Sequence, residues 1–344
     1  MIYFNNDYSE GAHPKILEKL NETNFEQSLG YAEDEYCENA KKLIKKACKN
    51  EDVDIHFLVG GTQCNLTFIS SALRPHQAVI SADTGHINTH ETGAIEATGH
   101  KVISLSSNGK LTALQIEDCI LSHINDTVRE HTVQPKMVYI SNSSENGLVY
   151  TKTELQNISD VCKKYSLIFY LDGARLGYAM ASEKSDIGFE DLCNLCDAFY
   201  IGGTKQGAMF GEALVLCKDN LKEDFRYHIK QKGGMLAKGR LLGIQFSCLF
   251  TDNLYLELGL KAVKQAYKIA ETLESFDIKL SSKCETNQVF PILSKQQYET
   301  LSKDYALSLW EKMDNEKYIV RICTSWATKD ENIDLLLNDI KKTL

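Results

Sequence analysis

Apolar runs rich in β-branched and aromatic residues recur through the first two-thirds of the chain. IHFLV (55–59), AVIS (78–81), KVISL (101–105), KMVYIS (136–141), LIFYLD (167–172), AFYI (198–201) and EALVLC (212–217) are the clearest. Several lack polar alternation, as strands buried on both faces of a mostly parallel sheet do. Between them the spacing changes to threes and fours. EYCENAKKLIKKACKN sets Tyr36, Ala40, Leu43, Ile44 and Ala47 on one helical face, with lysines opposite. TKTELQNISDVCKKY opens on capping-type residues and turns Leu155, Ile158 and Val161 inward. This alternation predicts an α/β fold with a mostly parallel seven-stranded sheet flanked by helices. After Ser247 the pattern changes to one long helix (DNLYLELGLKAVKQAYKIAETLESF), two strand-like runs and a terminal helix. The expected organisation is a large α/β domain over 21–247 and a small α+β domain over 248–344, with residues 1–20 packing on the small one.

Composition narrows the function. With 38 basic and 47 acidic residues the net charge is −9, which disfavours a general nucleic-acid or anionic-membrane binder. The 11 cysteines are odd in number and scattered. Cys37, Cys48, Cys64 and Cys119 sit in apolar or helical patterns, which fits a reducing compartment. The one C-x-x-C, Cys193–Cys196, has no second pair and no histidine at zinc spacing, so no metal site is expected. MIYFNNDYSEG has neither a basic nor an apolar leader segment, and no run reaches membrane-spanning length. A soluble, cytoplasmic protein is expected.

Three stretches carry candidate chemistry. IHFLVGGTQCNLTFIS runs from a strand through Gly60, Gly61 and Thr62 into a helix. That is either a phosphate site at a helix N-terminus or a tight turn needing glycine at positive φ. LIFYLDGARLGYA ends a strand on Asp172, with Arg175 three residues on. The two could form an ion pair, or the acid could hold a protonated ring nitrogen and leave the arginine for a substrate carboxylate. FYIGGTKQGAMFGEALVL surrounds Lys205 with small residues after the next strand. A strand-end acid followed by a strand-end lysine, with a glycine-rich helix start upstream, is the layout that pyridoxal phosphate (PLP) demands. The lysine would form the Schiff base and the acid would keep the ring nitrogen protonated. A nucleotide-binding or regulatory α/β protein without turnover is the alternative from another class; it leaves Asp172 and Lys205 without a reason for their places.

At this point the chain resembles a family: the fold-type-I PLP enzymes, and among them the threonine aldolase / β-eliminating lyase family. The resemblance runs over essentially the whole length, through NNDYSEGAHP, LVGGTQCNL, DTGHINTHETGAIEATGHKV, YLDGARLGYA, GGTKQGAMFGEALVL and VRICTSWATKDENIDLLLNDI. It implies that His86 stacks on the cofactor ring near the substrate hydroxyl. Gly61 and Thr62, with Thr204, would bind the cofactor, Asp172 would partner its ring nitrogen, and Lys205 would be the Schiff-base lysine. Arg175 and Arg321 would receive the substrate carboxylate. It also implies a homodimer or homotetramer acting on small amino acids. Three departures stand out. Asn6 replaces a substrate-contacting serine, Glu145 replaces a histidine beside the β-hydroxyl, and Leu236 replaces an arginine in KGGMLAKGR. Lys230, Lys232, Lys238 or Arg240 could supply the missing charge toward a neighbouring subunit's phosphate, or the stretch could be a solvated basic loop.

The expected activity is therefore cleavage of L-threonine or L-allo-threonine to glycine and acetaldehyde, with His86, Glu145 or an ordered water as the base. β-Elimination or transamination of another amino acid is the alternative within the same cofactor chemistry.

Overall fold

The computed structural model describes residues 1–343. Its centre is a seven-stranded sheet: β1 (Asp54–Leu58), β2 (Gln77–Ala82), β3 (Lys101–Leu105), β4 (Gln134–Ser141), β5 (Ile168–Asp172), β6 (Ala198–Gly202) and β7 (Glu212–Leu216). The spatial order is β1-β7-β6-β5-β4-β2-β3. β7 runs antiparallel to both its neighbours, and the other pairings are parallel. Each expected strand is present, with ends shifted by two residues at most. β2, β6 and β7 are buried along their whole length, which is why they read as unbroken apolar runs.

Side chains from successive strand positions enter two different cores. Val138, Ile140, Phe169, Leu171, Phe199 and Ile201 pack on one face of the sheet. Met137, Tyr139, Tyr170, Ala198 and Tyr200 pack on the other. Three buried tyrosines thus share one face of three neighbouring strands, on the same side as Asp172, two positions beyond Tyr170.

The flanking helices sit where expected, with rotated faces. Glu35–Cys48 buries Cys37, Ala40, Ile44 and Cys48, so the inward stripe is centred on the cysteines and Tyr36 lies off it. Lys152–Lys164 buries Leu155, Ile158, Ser159 and Cys162; Ser159 fits because its hydroxyl donates to the Leu195 carbonyl at 2.7 Å. In both helices small polarizable cysteines fill positions that a hydrophobicity pattern assigns to bulkier neighbours. Thr151 and Glu154 form a reciprocal cap at the start of the second helix, worth about 1 kcal/mol.

A smaller antiparallel sheet is made by Gln288–Val289, Ile292–Ser294, Ser308–Lys312 and Lys317–Cys323. The helix Asp330–Thr343 covers it with the far half of the 22-residue helix Leu254–Ser275. The near half of that helix, at Leu254, Tyr255 and Leu258, packs into the large sheet's core, so one rigid element joins the two sheets. The first residues are divided between them. Ile2–Tyr3 pair in parallel with Tyr305–Ala306, and Phe4 sits in the small core. The helix Pro14–Glu22 instead buries Ile16 in the core of the large sheet. All 11 cysteines are free. No helix among the described residues is long and apolar enough to cross a membrane.

Candidate active site

A cavity of about 280 Å³ opens at the carboxyl ends of β4, β5 and β6. Ligand crevices of open α/β sheets lie at this edge. Gly61, Thr62, His86 and Glu145 line it from one side, and Asp172, Arg175, Thr204 and Lys205 from the other. Two residues named from the sequence, Asn6 and Arg321, are not among its lining.

Asp172, the last residue of β5, accepts four hydrogen bonds. Tyr139 donates to Oδ2 at 2.6 Å, Asn65 donates to Oδ2 at 3.1 Å, the Ala174 N–H donates to Oδ1 at 3.0 Å, and Tyr200 donates to Oδ1. Two of these donors are the tyrosines of the shared sheet face. Four donors fix its direction. Asp172 does not pair with Arg175, so the ion-pair alternative does not hold.

Of the two alternatives for the glycines at the helix start, the tight turn at positive φ does not hold. Gly60 is extended at φ −173°, and Gly61 opens the helix Gly61–Ala72. A Cβ on Gly61 would lie 2.8 Å from the Tyr200 hydroxyl, itself held by Asp172. Close approach, rather than an unusual dihedral, excludes a side chain there. No side chain caps this helix, so its first N–H groups are left for whatever occupies the cavity. The small residues around Lys205 also have a backbone cause. Gly207 and Gly211 adopt φ of +99° and +119° in the turn between β6 and β7.

Lys205 is half-buried in the cavity wall. Burial, reinforced by the nearby Arg175 charge, pushes its amine below the usual lysine range. Beside it, Glu212 begins β7 and was not anticipated. It accepts from the Thr204 hydroxyl at 2.8 Å and from the Gly203 N–H at 2.9 Å. Burial raises its carboxyl to about 7. The Thr204 hydroxyl spends its one proton on Glu212 and accepts from Gly211 N–H at 3.0 Å.

Across the cavity, the His86 N–H donates to Glu145 at 2.9 Å, and Ser141 donates to the same Glu145 oxygen at 2.7 Å. Burial pushes the Glu145 carboxyl above its ordinary range. The Ser143 hydroxyl, also in the lining, is buried without a partner. The His86 ring meets Glu91, the acid of the H-x-x-x-x-E-x-G-A stretch, for which the sequence indicated no role of its own.

The two arginines differ. Arg175 donates from Nε and Nη2 to both oxygens of Asp7, at 2.8 and 3.0 Å. Burial alone would raise the Asp7 carboxyl, but Arg175 and Lys205 override it and hold it at about 2. Arg321 lies on the small sheet, stacked 4.9 Å over Trp310, with Nη2 donating to the Asn5 carbonyl. Its Nε is buried and unpartnered, and no carboxylate among the described residues pairs with it. Asn6, one residue before Asp7, turns away: its Oδ1 accepts from the Tyr8 N–H and the Ser9 hydroxyl in an exposed turn. In the basic stretch, Arg240 donates to the Glu26 and Thr23 carbonyls, and Lys230 lies 4.7 Å over the Tyr31 ring.

Comparison with known proteins decides the family. The sequence profile of the β-eliminating lyases matches residues 9–296. The chain belongs to the β-eliminating lyase family. Its similarity to solved members is high: a threonine aldolase of Leishmania major superposes with a TM-score of 0.97 at 46% identity, over 99% of both chains. The low-specificity L-threonine aldolase of a Pseudomonas species is 28% identical, covering 99% of this chain and 97% of the relative. An aspartate aminotransferase of Thermus thermophilus, at 12% identity and a TM-score of 0.70, shares the fold over 100% of this chain and 92% of its own. By family this β-eliminating lyase homologue is an enzyme of the lyase class, built on the same mostly parallel sheet as the aminotransferases.

Proposed function

We propose that the chain is a PLP-dependent lyase that cleaves L-threonine and L-allo-threonine to glycine and acetaldehyde. The observation that carries this reading is the placement of Lys205 and Asp172 in one cavity. The lysine is half-buried and shifted toward its neutral amine, and the carboxylate is pinned by four donors, in a chain 46% identical to a threonine aldolase.

The residues present fit PLP. The uncapped helix start at Gly61 and Thr62 suits a phosphate, the space kept clear at Gly61 suits a close approach, and the unpartnered Ser143 hydroxyl awaits a polar group. Asp172 would hold the protonated ring nitrogen and Lys205 the carbonyl carbon. When bound, the cofactor supplies an electron sink for the pair left at Cα. Thr204 contributes through Glu212: its hydroxyl is committed to that acid.

The chain's own residues do the rest. Arg321 and the remaining Nη1 of Arg175 would orient the substrate carboxylate, and with it the bond to be broken. His86 or Glu145 takes the proton of the β-hydroxyl as the Cα–Cβ bond breaks. The C–O bond becomes the aldehyde carbonyl, the electron pair stays at Cα, and a proton added there gives glycine. Asn6 would act only indirectly, by holding the turn that carries Tyr8, which lines the cavity. A homodimer or homotetramer in the cytoplasm completes the proposal. The oligomer is supported by the family resemblance.

One observation favours a second reading. Glu145, buried with a raised pKa, is suited to protonate a departing β-substituent, which would give β-elimination. Replacing Lys205 by Ala tests the first reading: the protein should still fold but lose aldehyde release by on the order of 1,000-fold or more. Undiminished turnover by Lys205→Ala would refute it.

A further inference from the structure

His86 is held at two points, and the second has no place in the reading so far. Its Nδ1 lies 2.8 Å from Glu91 Oε1, and the Glu91 side chain is wholly buried. The same Oε1 accepts from Asn65 Nδ2 at 2.7 Å. The Asn65 amide is fixed in turn: Nδ2 also donates to Asp172 Oδ2 at 3.1 Å, and Oδ1 accepts from the Tyr170 hydroxyl at 3.0 Å. A flipped amide would aim its oxygen at two carboxylates, so only one orientation satisfies all three neighbours. Glu91 Oε1 is therefore arranged as an acceptor, and an acceptor beside an imidazole nitrogen takes an N–H.

We infer that Glu91 is a positioning residue that keeps the His86 proton on Nδ1 and leaves the basic Nε2 free for the cavity. Three features strengthen the assignment. The His86 backbone is anchored, its N–H tied to Glu145. Glu91 Oε2 has no hydrogen-bond partner, and no lysine or arginine pairs with the acid among the described residues. The Glu91 charge is thus left to the imidazole, where it stabilises the imidazolium formed when Nε2 takes a proton. The other charged groups around the ring are Glu145, the neighbouring His90 with its ring 5.6 Å away, and Lys205 and Arg175 across the cavity.

That Nε2 receives the β-hydroxyl proton rests on the aldol-cleavage reading; the tautomer does not. Asn65 further links this ring to Asp172, so one amide sets the geometry of both the histidine and the strand-end acid.

The test is two-bond 1H–15N correlation on full-length protein labelled in its nine histidines, with His86→Gln identifying the signal. Wild type should show a pyrrole-like Nδ1 and a pyridine-like Nε2. Glu91→Gln keeps an oxygen for Asn65 to pin, so it should retain that pattern. Glu91→Leu should lose the single tautomer. An Nε2–H tautomer in wild type, or a single Nδ1–H tautomer unchanged in Glu91→Leu, overturns the inference. If Glu91→Leu does not fold, wild type and Glu91→Gln decide alone. An Nδ1–H tautomer in a protein that releases no aldehyde would overturn the aldolase reading and leave this one standing.

Discussion

At the end of β5, Arg175 is clasped by a carboxylate that meets both its Nε and its Nη2, whereas on the small sheet Arg321 has only a carbonyl, an amide oxygen and the face of Trp310. The family resemblance gives both the same task. Their surroundings divide it. Arg175 lines the cavity, but its charge is already matched by Asp7, which also ties the N-terminal segment to the large sheet; Asn287 of the small domain donates to the same carboxylate at 2.9 Å. Arg321 stands outside the lining with its charge unmatched among the described residues. The first is a clasp that also offers directional N–H groups; the second is the charge that a substrate carboxylate would neutralise.

The largest expected effect follows from breaking the clasp. Arg175→Met leaves Asp7 as a buried, unpaired acid, and the free energy of unfolding should fall by about 3–5 kcal/mol in urea titrations. A loss below about 1 kcal/mol would mean that water or another cation already serves Asp7. Arg321→Met removes no ion pair, so stability should stay within about 1 kcal/mol of wild type. The KM for L-allo-threonine should instead rise roughly tenfold to a hundredfold with kcat little changed. Equal losses of stability in the two variants would erase the distinction.

Acid sharpens the comparison further. The folded-state pKa of Asp7, about 2, lies below its ordinary 3.8. Its contribution is therefore complete above about pH 4 and is lost as pH falls through about 2, an effect on the order of 2 kcal/mol. Urea midpoints of wild type and Asp7→Asn should converge across that window, and a gap independent of pH would contradict the assignment. The smallest effect belongs to the stacking partner. Trp310→Leu should weaken carboxylate binding by about 0.5–1 kcal/mol, a rise in KM of a few-fold, without altering unfolding by urea.

Much of the architecture was legible because the large sheet is covered on both faces. Its strands are unbroken apolar runs, and a polar residue at the end of such a run marks the functional edge. That Asp172, Lys205 and the Gly61–Thr62 turn meet at one cavity was readable for that reason. The groups that set their chemistry were less so. Tyr139 and Tyr200 occupy ordinary core positions, and nothing in an apolar pattern says that a hydroxyl reaches Asp172. The signal was parity: Tyr139, Tyr170, Asp172 and Tyr200 fall on one face of adjacent strands once the strands are aligned. Strand order is a tertiary fact that one sequence does not carry.

Loops hid the rest. Glu91 and Glu212 lie inside stretches recognised for their neighbours, and burial alone distinguishes them from solvated acids. In NNDYSEG the attention fell on Asn6, whose side chain closes a surface turn, while Asp7 goes inward to Arg175. The small domain was read as two strands and a terminal helix. Ser308–Lys312 escaped because it is a largely exposed edge strand with no apolar run to announce it.

The central claim is that this cavity breaks the Cα–Cβ bond of a β-hydroxy amino acid. The most direct measurement is product analysis on purified, PLP-loaded protein supplied with L-threonine or L-allo-threonine. Glycine and acetaldehyde should appear in equal amounts and should depend on Lys205. Release of keto acid and ammonia without aldehyde, or an unchanged amino acid, would contradict the account and leave the family and fold as its surviving part.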